Sequence, residues 1–395
     1  MPWRTNTMTD QRKEFVRQAL GNDANLSALC RAYGITRKTG LMWRERARSD
    51  GLNGVREHSR RPHASPTQLK EAQVCHLVRL KQAWPTWGPK KLSQLYRETQ
   101  GTQLAISTCH RVLKAAGLIK ERPRRLRRAV SVVVGATVPL GPNDVWTVDF
   151  KGWWRLGNGG RCEPLTVRDA FSRLVLLAHV PSSGRTAPIR AEFERLFRTY
   201  GLPKVIKSDN GVPFASINAP LGLSSLSAGW VALGIVLERS RPGHPQDNGA
   251  HERLHKDLEA EVAAHVQIDA VAQQAALDVW RQDYNQIRPH ERLQGRRPAQ
   301  VYQHSPRLYP EGPLVLDYGP GFLPRLVGAG GDIKYNSRII FISTALAGWH
   351  VGLRVQDNHR LAVWFNYLLL GSIDLQTNRF VSAPSRSAKA VGLAA

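Results

Sequence analysis

Val145-Trp146-Thr147-Val148-Asp149-Phe150-Lys151 is an apolar run that carries a carboxylate near its end. Two more acids stand in sentences of their own. Asp209 lies in Val205-Ile206-Lys207-Ser208-Asp209-Asn210-Gly211, and Glu252 lies in Pro245-Gln246-Asp247-Asn248-Gly249-Ala250-His251-Glu252-Arg253. Carboxylates avoid apolar strands, because burying an unpaired charge is expensive. Asp149 and Asp209 each close a strand-like run, whereas Glu252 sits on a helix-like stretch. Such a trio supplies the oxygen ligands that two hard cations need for phosphodiester chemistry.

Working outward, the chain has 395 residues, of which 42% are hydrophobic, enough for two or three domains. Its formal net charge is +25, unevenly spread: residues 1–128 hold 27 Lys+Arg against 9 Asp+Glu. A cationic third of a chain implies a polyanionic partner. The cysteines Cys30, Cys75, Cys109 and Cys162 are far apart, without a Cys-x-x-Cys pair. That spacing excludes a disulfide framework and a zinc ribbon, and buried reduced thiols are expected. No signal peptide and no apolar run near 18 residues is present. The expectation is a soluble cytoplasmic protein of a reducing compartment, with no membrane contact.

Residues 1–50 read as a helix-turn-helix domain, with helices over Thr9–Leu20, Leu26–Tyr33 and Thr36–Ala47. Arg37, Lys38, Arg44 and Arg46 mark the third as a recognition helix. Gly40 inside it costs about 1 kcal/mol relative to Ala, which close approach of a neighbouring helix or of DNA would justify. Residues 51–67 form a basic linker with Arg56, Arg60 and Arg61, a tether or a minor-groove strand. Residues 68–119 read as a second helix-turn-helix. There Pro89 opens a helix behind which Lys90 and Lys91 follow, and Ser107 caps a last helix bearing His110, Arg111 and Lys114. Residues 120–142 are a second basic linker, in which Arg124, Arg125, Arg127 and Arg128 suit phosphate tracking.

Residues 143–303 alternate strands with helices, an α/β layer order. Strands are expected over Val145–Leu156, Glu163–Asp169, Leu174–Val180, Lys204–Lys207 and Val236–Arg239. Helices are expected over Ala187–Tyr200, Asn248–Val266 and Asp269–Tyr284. Residues 313–381 carry short β-branched runs between Asn/Gly/Asp turns, expected to form a small SH3-like barrel. Residues 382–395 are expected to be a flexible tail.

The span Asn143–Gln303 resembles the catalytic core of the retroviral-integrase and insertion-sequence transposase superfamily. The resemblance rests on the three acidic stretches together with Tyr284-Asn285-Gln286-Ile287-Arg288-Pro289-His290 and Arg297-Pro298-Ala299. It implies an RNase H-like core and a DDE triad of Asp149, Asp209 and Glu252 holding two Mg2+ ions, with Mn2+ as a substitute. It further implies double-stranded DNA as partner (element ends and target) and a homo-oligomer on DNA, a dimer or tetramer. A bacterial, nucleoid-associated setting goes with that reading. A departure is the 42 residues between Asp209 and Glu252, more than in close relatives; the extra length is assigned to Ser216–Ser227. Lys256 and His255, on the helical face of Glu252, would touch DNA. A phage- or retroelement-type integrase, or a catalytically silent DNA-binding regulator, are the alternatives. The lack of the integrase zinc-module spacing weighs against the retroelement form, and the three acids in context weigh against the silent one.

Overall fold

The computed structural model describes residues 7–57, 68–119, 137–241 and 249–384, and the chain separates into two units, Met1–Glu71 and Ala72–Ala395. Arg60, Arg61, Arg124, Arg125, Arg127, Arg128 and the tail beyond residue 384 lie outside the described residues.

In the first unit, α1 (Met8–Ala19), α2 (Leu26–Ala32) and α3 (Arg37–Asp50) are each capped by a side chain: Thr7, Asn25 and Thr36 accept from the backbone N–H three residues on. Phe15, Val16, Leu26, Cys30, Trp43 and Ala47 form the core. Gly40 is answered by a neighbouring helix, because a Cβ there would stand 2.3 Å from Cys30 Sγ. The expected linker is partly structured: Gly51–Val55 is a 3-10 turn with Val55 fully buried. An apolar valine behind a helix end is better packed than solvated.

The second unit begins with α4 (Glu71–Ala83), α5 (Pro89–Gln100) and α6 (Ile106–Ala115). Pro89 takes the first helical position, as read from sequence. Ser107 does not cap α6; the helix starts two residues earlier than expected, behind Ala105, with no side-chain cap. Three cysteines are buried, but Cys75 on α4 is exposed, against expectation.

The core sheet contains β1 (Val145–Phe150), β4 (Leu165–Asp169), β5 (Val175–His179), β6 (Val205–Ser208) and β7 (Val236–Arg239); β2 (Trp154–Arg155) and β3 (Arg161–Cys162) make a small hairpin between β1 and β4. The order is β5-β4-β1-β6-β7, antiparallel on the β4/β5 side of β1 and parallel on the β6/β7 side. That is the RNase H-like arrangement. The first expected strand stops at Phe150 because Gly152, at φ 83°, turns the chain into the hairpin.

Two helical layers cover the sheet. Trp146 and Val148 of β1 face α7 (Thr186–Tyr200) and α8 (Ser225–Ala232) through Ile189, Phe193 and Trp230. On the other face, α9 (Gly249–Leu258) and α10 (Ala270–Gln286) pack on β5 through Leu254, Leu258, Leu277 and Trp280. The long helix expected over Asn248–Val266 ends its α-form at Leu258 and passes into a π turn at Glu259–Ala263. α8 was not read from the sequence. It occupies part of the extra length, with a Ser224/Ser227 capping box.

The C-terminal region differs from expectation. β8 (Leu323–Leu326), β9 (Asp332–Tyr335), β10 (Arg338–Phe341), β11 (His350–Asp357), β12 (Arg360–Phe365), β13 (Leu368–Asp374) and β14 (Arg379–Ser382) form an open antiparallel sheet, β14-β13-β12-β11-β8, plus a β9/β10 hairpin. No sheet closes into a barrel among the described residues. Instead of closing on itself, its core continues into Leu223, Ala228, Val231 and Ala232 at α8. Asn366 Nδ2 and Tyr367 OH donate to the carbonyls of Val231 and Ile235, each at 2.7 Å. α8 and the residues flanking it are thus the seat of the C-terminal sheet. No helix among the described residues is long and apolar enough to cross a membrane.

Gly40→Ala should destabilise the first unit by about 1–3 kcal/mol, seen by hydrogen exchange as faster exchange of α1–α3 amides with the core sheet unchanged. Unaltered protection of those amides would contradict the close α2–α3 packing.

Candidate active site

β1 alternates, as a strand must. Trp146 and Val148 enter the apolar layer, so Thr147 and Asp149 face α9. β1 and β6 run parallel, with Thr147 paired to Lys207. Two residues further on, at the same ends of neighbouring strands, come Asp149 and Asp209. Glu252 lies in the first turn and a half of α9. Asp149 is half-buried, and its carboxyl is pushed up to about 7, by burial first, then by the charge of Asp209 and that of Glu252. Asp209 is exposed; its Oδ1 accepts from the Gly211 N–H at 3.1 Å. Asn210 Nδ2 donates to Ser240 O at 2.8 Å, tying this turn to the end of β7. Glu252 makes no hydrogen bond or ion pair with the described residues.

What holds α9 in place is a buried polar network not read from the sequence. Thr166 on β4 sits opposite Asp149. Its Oγ1 lies 3.0 Å from Asp149 O, 2.7 Å from His251 Nε2 and 2.9 Å from His255 Nε2. A hydroxyl has one proton and two lone pairs. All three contacts are hydrogen bonds if the hydroxyl donates to the Asp149 carbonyl and both histidines donate Nε2–H. His251 Nδ1 then accepts from the Thr147 hydroxyl at 2.8 Å. Burial holds His251 well below the usual imidazole range and lowers His255 to about 4, with Lys151 and Arg168 adding to the latter. Both rings are therefore neutral, as this pattern requires. Arg168 Nη1 donates to Ala250 O at 2.7 Å, anchoring the start of the helix. His255, expected at the DNA, faces inward; Lys256 is exposed. A short polar residue on a β-strand opposite a catalytic candidate was the available signal for Thr166.

Arg288 is buried at the end of the core. Its Nη1 pairs with Asp257 Oδ2 at 2.8 Å, its Nη2 with Glu261, and its guanidinium stacks 5.0 Å from Tyr284 and 5.5 Å from Trp87 of the second helical unit. Arg297 pairs with Glu98, Lys90 pairs with Glu291, and Gln94 donates to Gly295 O. The helical unit is thus bolted to the core where the Arg-Pro-His and Arg-Pro-Ala stretches occur. His110, Arg111 and Lys114 are exposed on α6, and Lys91 is half-buried with its ammonium 5.7 Å above Trp87. In the first unit Arg37, Lys38 and Arg56 are exposed, while Arg46 stacks on Trp43 at 5.2 Å and Arg44 is half-buried. Packing thus uses half of the expected recognition set on α3.

Among the described residues no three His, Cys, Asp or Glu side chains converge tightly enough to cage a metal ion. The chemistry of the donor set nevertheless fits a hard divalent cation: three carboxylates of like charge, one raised by burial and by the other two.

Residues 139–245 and 233–298 match families described as Integrase core domain, residues 11–63 a Helix-turn-helix domain and residues 39–113 a Homeodomain-like domain. Integrase-core models thus match the region holding the three acids, and helix-turn-helix models match the region before it. The chain is 27% identical over 267 residues to an insertion element IS407 protein of 31.7 kDa from Burkholderia multivorans, covering 67% of this chain and 92% of that one. It is 28% identical to an insertion element IS476 protein of 39.2 kDa from Xanthomonas euvesicatoria, covering 63% and 70%. The catalytic core domain of BIV integrase overlaps 40% of this chain and 93% of that one, at 24% identity and a TM-score of 0.32; the sheet order, not this overlap, defines the core.

Asp149→Asn should stabilise the chelated protein at neutral pH. A carboxyl raised in the folded state makes the wild type lose stability as pH rises from about 4, its unfolded value, to about 7. Urea unfolding should show a gain of the order of 2–4 kcal/mol for the variant at pH 8 and almost none at pH 4. Equal effects at both pH values would contradict the shift.

Proposed function

We propose that this chain is an insertion-sequence-type transposase that binds the terminal inverted repeats of its own element and carries out metal-dependent 3′-end cleavage and strand transfer into target DNA. Asp149, Asp209 and Glu252 are its catalytic residues and the ligands of two Mg2+ ions, with Mn2+ able to substitute. The observation that carries the reading is the placement of Asp149 on the central strand, at the same end as Asp209 after the adjacent parallel strand and near enough to Glu252 on α9 for both charges to act on its half-buried carboxyl.

The chain's own residues divide the work. Asp149 and Asp209 offer oxygens from the ends of adjacent parallel strands, and Glu252 offers them from α9. When bound, the divalent ions activate the attacking oxygen, stabilise the leaving oxygen and neutralise charge at the phosphate. Thr166 and His251 hold the helix that presents Glu252. Basic residues of the two helical units bind the duplex: Arg37, Lys38 and Arg56 in the first, His110, Arg111 and Lys114 in the second. Joining two element ends to one target in a concerted reaction needs at least two such sites. The acting form is therefore a homo-oligomer on DNA, a dimer or tetramer.

Asp149→Asn, Asp209→Asn and Glu252→Gln should each lower cleavage of an element-end duplex by about a thousandfold or more, while leaving affinity for that duplex within about twofold. Gel-resolved cleavage with Mg2+ and a parallel binding titration read both quantities. Retained cleavage by a folded Asp149→Asn protein would sink the assignment.

A further inference from the structure

A cleft of about 1390 Å3 separates the second helical unit from the core helices. One wall comes from α5 and α6, with Lys90, Lys91 and Lys114; the other comes from α9, with Arg253 and Asp257. Six lysine and arginine side chains line it against three acids. All three acids are engaged: Arg288 holds Asp257 and Glu261, and Lys90 holds Glu291. The lining keeps an excess of three positive charges. Burial and the Arg288 charge press Lys91 down to about 8, so an anion in the cleft would relieve it. The cations come from α4, α5, α6, α9 and the segment after α10, on both walls of the cleft. That arrangement suits a succession of phosphates better than a single small anion.

We propose that this cleft holds the sugar-phosphate backbone of duplex DNA and leads it, within one chain, from α6 of the second helical unit to Arg253, the neighbour of Glu252. The proposal rests on the reading of the chain as a DNA-processing transposase and adds a route between its DNA-binding unit and its carboxylates. Arg253 anchors the route at the core end: its side chain is 70% exposed and only loosely paired to Asp257, at 3.6 Å. Lys90 and Lys114 are exposed on the opposite wall.

The test is the salt dependence of binding to a duplex of about three helical turns ending in the element's terminal sequence. Each phosphate contact contributes about 0.9 to the slope of log K against log salt. The full-length triple variant Lys90→Gln, Lys114→Gln, Arg253→Gln should lose about 2–3 from that slope and bind at least about tenfold more weakly at low salt. A second triple variant, Arg190→Gln, Arg195→Gln, Arg198→Gln, removes the same charge from α7 on the opposite face of the core sheet and should change the slope by less than about 1. A cleft variant with the wild-type slope, or an α7 variant that loses as much, would overturn the route while leaving the carboxylate assignment intact. Failure of the wild-type chain to bind any duplex would overturn both.

Discussion

One threonine hydroxyl joins the two elements on which the site depends. Thr166 touches the backbone of Asp149 on one side and, on the other, two histidines that bracket Glu252 along α9. Unsatisfied buried polar groups cost about 1–3 kcal/mol each, so the hydrogen bonds of Thr166 and His251 favour one seating of the helix over others. The neutrality of both rings is part of the arrangement. A protonated His251 would have to donate from both nitrogens in a pocket with no carboxylate partner.

The remainder of the second unit is fastened to this centre by two different kinds of contact. Toward the helical unit the joint is ionic and aromatic, with Arg288 between two acids of the α9 segment and the ring of Trp87. A buried ion pair adds little net stability, yet breaking it strands a charge. It is therefore a joint that fixes geometry more than it adds energy. Toward the C-terminal sheet the joint is apolar, made by α8 and the loop before it. The sheet is left open because part of its core is supplied by the neighbouring domain, and a barrel would have no use for that surface.

Much of this was legible in the sequence. Strand and helix periodicity gave the core order within a few residues, because alternation in β1 and the 3.6-residue repeat in α7 and α10 reflect two-sided burial directly. The cap of α3 and the N1 proline of α5 were equally plain, whereas the Thr7 cap of α1 was not read. Harder to see was anything that depends on partners distant in sequence. Thr166, His251 and Arg168 are ordinary letters until β4 meets α9. α8 is hydrophobic all round, with no stripe to announce a helix. A charge pattern also could not show that the Arg46 guanidinium lies over the ring of Trp43. The short C-terminal strands showed their β character but not the surface that replaces barrel closure.

The central claim is that Asp149, Asp209 and Glu252 form one divalent-cation site. Affinity cleavage tests it most directly: Fe2+ replaces the native ion, ascorbate and peroxide generate hydroxyl radicals at the metal, and the cut positions in the chain are mapped. The account predicts cuts near residues 149, 209 and 252 together, all suppressed by excess Mg2+ and all lost in Asp149→Asn. Cuts confined to other segments, or cuts at one of the three that survive Asp149→Asn, would contradict it.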